Sequence, residues 1–187
     1  SGALARLGLV DEAAIEAGVR LLKRVRDDGL ETVRVLFSDP HGVLRGKAIA
    51  ARALPSVLSD GMKVPSTLLL KDTAHRTAFP IWSGDGAPMA GASDILLVPD
   101  TATFRRLPWS PHSGWLLCDC VDSVGAPIPF APRDLLRAEV GRLADRGMEM
   151  RVGLEVGFHV FDVIDPLERA AEAGSGDVIE APMPGLV

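Results

Sequence analysis

Hydrophobic and polar positions change period several times along the chain. Between Glu12 and Asp28, Ile15, Val19, Leu22 and Val25 recur at steps of three and four, the spacing of one helix face. Asp11 stands where an N-cap belongs and Gly29 where a helix stops. The period then falls to two. Thr32 to Phe37 and Val43 to Ile49 read as strands, and Asp39-Pro40-His41-Gly42 between them is turn chemistry, so the pair predicts a hairpin. Ala53 to Asp60 reads as a short helix ended by Gly61, and Ser66 to Leu70 as a further strand. From Thr73 to Ser93, with Trp82 and Met89 inside it, no period is visible; loops this long in a compact domain are usually functional or mobile.

Asp94 to Asp100 predicts another strand closed by a turn. Pro108 and Pro111 flank Trp109, and this passage places a module boundary near Ser110, with domains 1–110 and 111–187. Beyond it, Gly114 to Val121 is an apolar strand and Gly125-Ala126-Pro127 a turn. Pro132 suits the first position of a helix running from Arg133 to Arg146, with Leu136, Val140, Leu143 and Ala144 as the apolar stripe and Arg137, Glu139, Arg142 and Asp145 toward water. Glu149 to Phe161 alternates sharply. Met150, Val152, Leu154, Val156, Phe158 and Val160 share one face; Arg151, Gly153, Glu155, Gly157 and His159 share the other. The segment from Pro166 reads as loop. The mixture of helices and hairpins makes the class α+β.

Composition narrows the function without naming it. The 187 residues are 47% apolar and 24% charged, ordinary for a globular protein. A net charge of −5, with Lys and Arg dispersed, argues against nucleic-acid partners, which need a basic stripe. No run reaches the roughly 18 to 20 apolar residues that span a bilayer, and Ser1 to Val10 do not read as a secretory signal. The expected setting is therefore cytoplasmic, without a membrane partner. Cys118 and Cys120, two apart on an expected strand, read as buried reduced thiols rather than metal or redox groups.

Candidate chemistry begins at Glu155. Alone, it is a carboxylate on the polar face of a strand, most simply solvated or paired with an Arg. Its surroundings add more: Gly153-Leu154-Glu155-Val156-Gly157-Phe158-His159-Val160-Phe161 resembles the Gly-x-Glu-x-Glu-Phe-Phe-x-Phe strand of glutamine synthetases. Val33 to Ala48 is similar to that family's N-terminal hairpin, with its Asp-x-x-Gly turn and Arg-Gly-Lys. Asp94 to Trp109 is similar to its strand, Pro-Asp, Thr-Phe-Arg and Pro-Trp passage. Leu117-Cys118-Asp119 with Gly125-Ala126-Pro127, then Pro132-Arg133-Asp134-Leu135-Leu136, follow in order. Each piece is weak alone; their common order over Val33 to Phe161 is specific.

The resemblance implies an N-terminal β-grasp-like domain followed by the beginning of a larger α/β catalytic domain, truncated here. It implies an ATP-dependent ligase that joins glutamate to ammonia or another amine through a γ-glutamyl phosphate, with Mg²⁺ or Mn²⁺ as cofactor, in a ring-forming homo-oligomer. It makes Glu155 a metal ligand. The second metal carboxylate of the family, about 6.6 to 6.8 Å along the strand, is replaced by Gly157. His159, about 13 Å from Glu155 at strand rise, fits a surface or core role better than that of a substitute ligand. The loop after Leu70 matches the one that reaches over a neighbouring subunit's metals, making Asp72 the candidate catalytic carboxylate; an Asp capping a turn is the equally simple alternative. Arg45 and Lys47 could reach phosphates, although hairpin-strand cations are more often solvated or salt-bridged. The family's remaining ligands lie downstream of this chain, which alone is expected to be inactive. A non-catalytic relative serving assembly or regulation is the alternative reading.

Overall fold

A computed structural model describes residues 2–77 and 93–160, and the backbone of 163–164 and 185–186. Residues 78–92, with Trp82 and Met89, and most of the expected loop from Pro166 lie outside the described residues. Two compact units divide the chain, Ser1–Glu149 and Met150–Val187. The first is α+β. Strands β1 (Thr32–Ser38), β2 (Leu44–Ala50), β3 (Met62–Pro65), β4 (Asp94–Leu107) and β5 (Ser110–Val121) form one sheet in the order β2-β1-β5-β4-β3. β1 and β5 are parallel at its centre, and the other pairs are antiparallel. Helices α1 (Ala3–Arg6), α2 (Glu12–Asp27), α3 (Leu54–Asp60) and α4 (Pro132–Ala144) complete the unit.

The local signals for α2 hold. The Asp11 side chain accepts a hydrogen bond from the Ala14 amide at 2.8 Å, satisfying a donor the first turn leaves open. Gly29 takes a left-handed φ of 62° just beyond the end. The buried face, however, is Gly18, Leu21 and Val25, whereas Ile15 is half exposed and Val19 is 63% exposed. Those two side chains line an open cavity of about 260 Å³ with Leu22, Leu58 and Pro99. Leu21 and Val25 instead join Val33, Val35 and Phe37 of β1, Leu54 and Val57 of α3, and Leu116 of β5 in the main core. On β4, Ile95 and Leu97 enter this core while Leu96 and Val98 pack with Leu4 and Val121 on the other face. An apolar run without alternation is what two covered faces require.

Four expectations change. Ser66–Leu70 is a 3-10 turn rather than a strand; Met62–Pro65 pairs with β4 instead, and Pro65, lacking an amide hydrogen, is tolerated because β3 is an edge strand. Pro108-Trp109 turns β4 into β5 within one sheet, Leu107 facing Ser110, so the unit boundary falls after Glu149 and not near Ser110. On α4 no residue is buried, and Leu136 and Val140 are exposed. Finally, Glu149 to Val160 has no regular structure, and Leu154 is 90% exposed. Alternation makes a strand only when a neighbouring strand pairs with it, and among the described residues no strand is paired with this segment. In the second unit β6 (Val163–Ile164) and β7 (Gly185–Leu186) form a short antiparallel pair.

Candidate functional site

The β1–β2 turn is built on one carboxylate. Asp39 is fully buried and accepts the amides of His41 and Val43 at Oδ1, each at 2.9 Å. Its Oδ2 accepts Arg45 Nε at 2.7 Å, and the Arg45 side chain is only 8% exposed. Burial pushes the Asp39 carboxyl up, but the Arg45 hydrogen bond and the Val43 and His41 amides outweigh it and hold the group below the usual carboxylate range. Arg45 is thus salt-bridged inside its own hairpin. The neighbouring Gly46 lies opposite Leu36, where an added Cβ would stand 1.9 Å from the Val35 carbonyl oxygen.

Arg45 has a second partner across the fold. Its Nη1 lies 2.8 Å from Nδ1 of His75, which belongs to the tight turn holding Asp72. Lys71 and Thr77 close this turn by a backbone bridge and by a 2.9 Å bond from Nζ to Oγ1. The Asp72 amide donates to the Arg76 carbonyl and the His75 amide to that of Asp72. The Asp72 side chain accepts the Arg76 amide at 2.8 Å and Arg76 Nε at 3.1 Å. These contacts, the backbone amide first, hold its carboxyl below the usual range. Asp72 is therefore a turn-capping carboxylate that stays ionised near the surface. His75, at φ 64°, gave no sequence signal, being a lone His in an aperiodic stretch.

A second charged group fixes α4. Arg133 lies 2.7 Å from Asp100 Oδ2 and 3.1 Å from Asp119 Oδ1, and Arg137 lies 2.8 Å from Asp119 Oδ2. Desolvation, then the charge of Asp119, pushes the Asp134 carboxyl up, and the Asp119 hydrogen bond holds Arg137 more firmly protonated. Arg137, expected to face water, thus turns toward the sheet. Cys118 and Cys120 are free and buried, as expected. Burial pushes both thiols up, Cys120 to about 12, which leaves almost no thiolate at neutral pH.

Glu155, Gly157 and His159 lie in the second unit, on the irregular, exposed stretch. A Cβ added at Gly157 meets nothing within 4 Å. Among the described residues no three His, Cys, Asp or Glu side chains are grouped to hold a metal ion. The residues described here therefore do not by themselves fit a divalent cation, which takes six or more oxygens. Among them, too, no helix is long and apolar enough to cross a membrane.

Comparison with known proteins points to the same family. The chain is 30% identical over 157 residues to a γ-glutamylanilide synthase of an Acinetobacter species, an overlap of 80% of this chain and 31% of that protein. It is 36% identical over 149 residues to the γ-glutamylethanolamide synthetase GlnA4 of Streptomyces coelicolor, or 77% of this chain and 30% of that one. The chain belongs to the glutamine synthetase family. Its fold superposes on the solved ADP complex of GmaS with a TM-score of 0.52 at 31% identity, covering 67% of this chain and 26% of GmaS. No protein-family model matches the chain. It spans about a third of the length of the curated relatives it matches.

Proposed function

We propose that this chain is the N-terminal part of an ATP-dependent ligase that couples glutamate to an amine through a γ-glutamyl phosphate, its first unit being the β-grasp-like domain. The observation that carries the reading is the similarity, over about four-fifths of the chain, to proteins whose names specify γ-glutamyl amides of aniline and ethanolamine. The mixed sheet with parallel β1 and β5 at its centre supports the β-grasp assignment.

Within that reaction Asp72 is the candidate catalytic carboxylate of this chain. A carboxyl held below its usual range is a weak base but a reliable negative charge, suited to drawing in and orienting a protonated amine. It would act at the site of a neighbouring subunit in a homo-oligomer. Glu155 would supply one oxygen to Mg²⁺ or Mn²⁺, whose chemistry is to neutralise the transferring phosphoryl group. The test is ATP-dependent phosphate release by the full-length protein with glutamate and a panel of amines that includes ammonia, aniline and ethanolamine. Release with at least one amine is expected. No release with any would favour the non-catalytic reading, to which the missing carboxylate at Gly157 already lends support.

A further inference from the structure

We propose that His75 is a positioning residue that latches the Asp72 turn to the β1–β2 hairpin through Arg45. The inference rests on the reading of Asp72 given above and extends it to what holds that carboxylate in place. A guanidinium has five donors and no acceptor, so the 2.8 Å contact from Arg45 Nη1 to His75 Nδ1 requires a bare Nδ1 and places the ring proton on Nε2. Arg45 cannot swing to follow a moving turn. Its Nε is committed to Asp39, and Asp39 is held in turn by two amides of the hairpin. Among the described residues, the other side-chain hydrogen bonds of the turn join its own members, Lys71 to Thr77 and Asp72 to Arg76. They shape the turn without fixing it to the sheet.

The backbone supports the same assignment. His75 holds a left-handed φ of 64°, a conformation uncommon outside glycine, and such outliers persist where the surroundings over-determine them. The ring is exposed, so core packing does not explain its position. Arg45 uses two different nitrogens of one rigid fork, which a lysine ammonium cannot imitate.

The test compares three variants in the full-length protein. His75→Asn keeps an acceptor close to the Nδ1 position and tolerates a positive φ; His75→Gly relaxes the backbone and removes the acceptor; Arg45→Lys keeps the Asp39 pair but not the fork. Amide exchange over 71–77 should rise roughly 10-fold in His75→Gly and Arg45→Lys while His75→Asn stays near wild type. The Km for the amine should rise roughly 10-fold in the same two variants, with the Km values for ATP and glutamate unchanged. Wild-type exchange in His75→Gly, or equally fast exchange in the Gly and Asn variants, would overturn the latch. If exchange follows the expected pattern while Asp72→Asn leaves amine kinetics untouched, the latch stands and the role given to Asp72 falls.

Discussion

Gly46 and Asp39 show how single residues set the geometry around the candidate site. With 1.9 Å between an added Cβ and the Val35 carbonyl oxygen, Gly46→Ala must push β2 away from β1. We expect a loss of about 2–3 kcal/mol, read from the urea midpoint, with faster exchange at the Asp39 turn. Asp39→Ala removes the partner of an Arg that is 8% exposed and should cost about 3–5 kcal/mol. The pH dependence has a definite sign. The folded Asp39 carboxyl titrates below its unfolded value of about 3.9. Its contribution is therefore fully present above that value and disappears as the pH falls through the lower folded value. Stability measured by urea unfolding should drop more steeply below about pH 4 in wild type than in Asp39→Asn. The Asp-x-x-Gly turn and the Arg after it were legible as motifs. The Asp39–Arg45–His75 chain was not, since a contact between residues 30 apart leaves no periodic trace.

At the scale of elements, ends were easier to read than faces. Asp11, Gly29, Gly61 and Pro132 act on the backbone within a turn of themselves, and each helix begins or stops where these residues place it. A face depends on what the rest of the chain brings against it. On α2 Val25 of the expected stripe is buried together with Leu21, whereas Ile15 and Val19 are not, because β4 and α3 meet that side. On α4 the charged side carries the contacts, through Arg133 and Arg137 on Asp100 and Asp119. Arg133→Met should therefore destabilise the protein by about 1–2 kcal/mol, less than for a fully buried pair because these groups keep about a quarter of their surface in water. Thermal unfolding of the variant checks this. On β5, an aromatic disulfide reagent should label neither Cys118 nor Cys120 at pH 8 until the protein is unfolded, because burial holds both thiols protonated.

At the scale of the molecule, the first unit owns a core, a sheet and the Asp72 turn, whereas Glu155 lies in the second unit, among apolar side chains that face water. A period-two pattern specifies which residues share a face; it does not supply the neighbouring strand. That is why the motif around Glu155 was legible while its conformation was not. In extended backbone, residues 155 and 157 project the same way, so a Glu at 157 would restore the paired carboxylates of the resembled strand. The position accepts one: Gly157 has no φ in the left-handed range, and a Cβ there meets nothing within 4 Å. Gly157→Glu adds one hard oxygen donor and one negative charge beside Glu155, and each raises affinity for a small divalent cation. Titration calorimetry of the full-length protein should show Mg²⁺ binding strengthened roughly 10-fold, an increase that disappears in the double variant Glu155→Gln, Gly157→Glu. Unchanged Mg²⁺ affinity in Gly157→Glu would count against Glu155 as a metal ligand and leave Asp72 as the one candidate carboxylate this chain contributes.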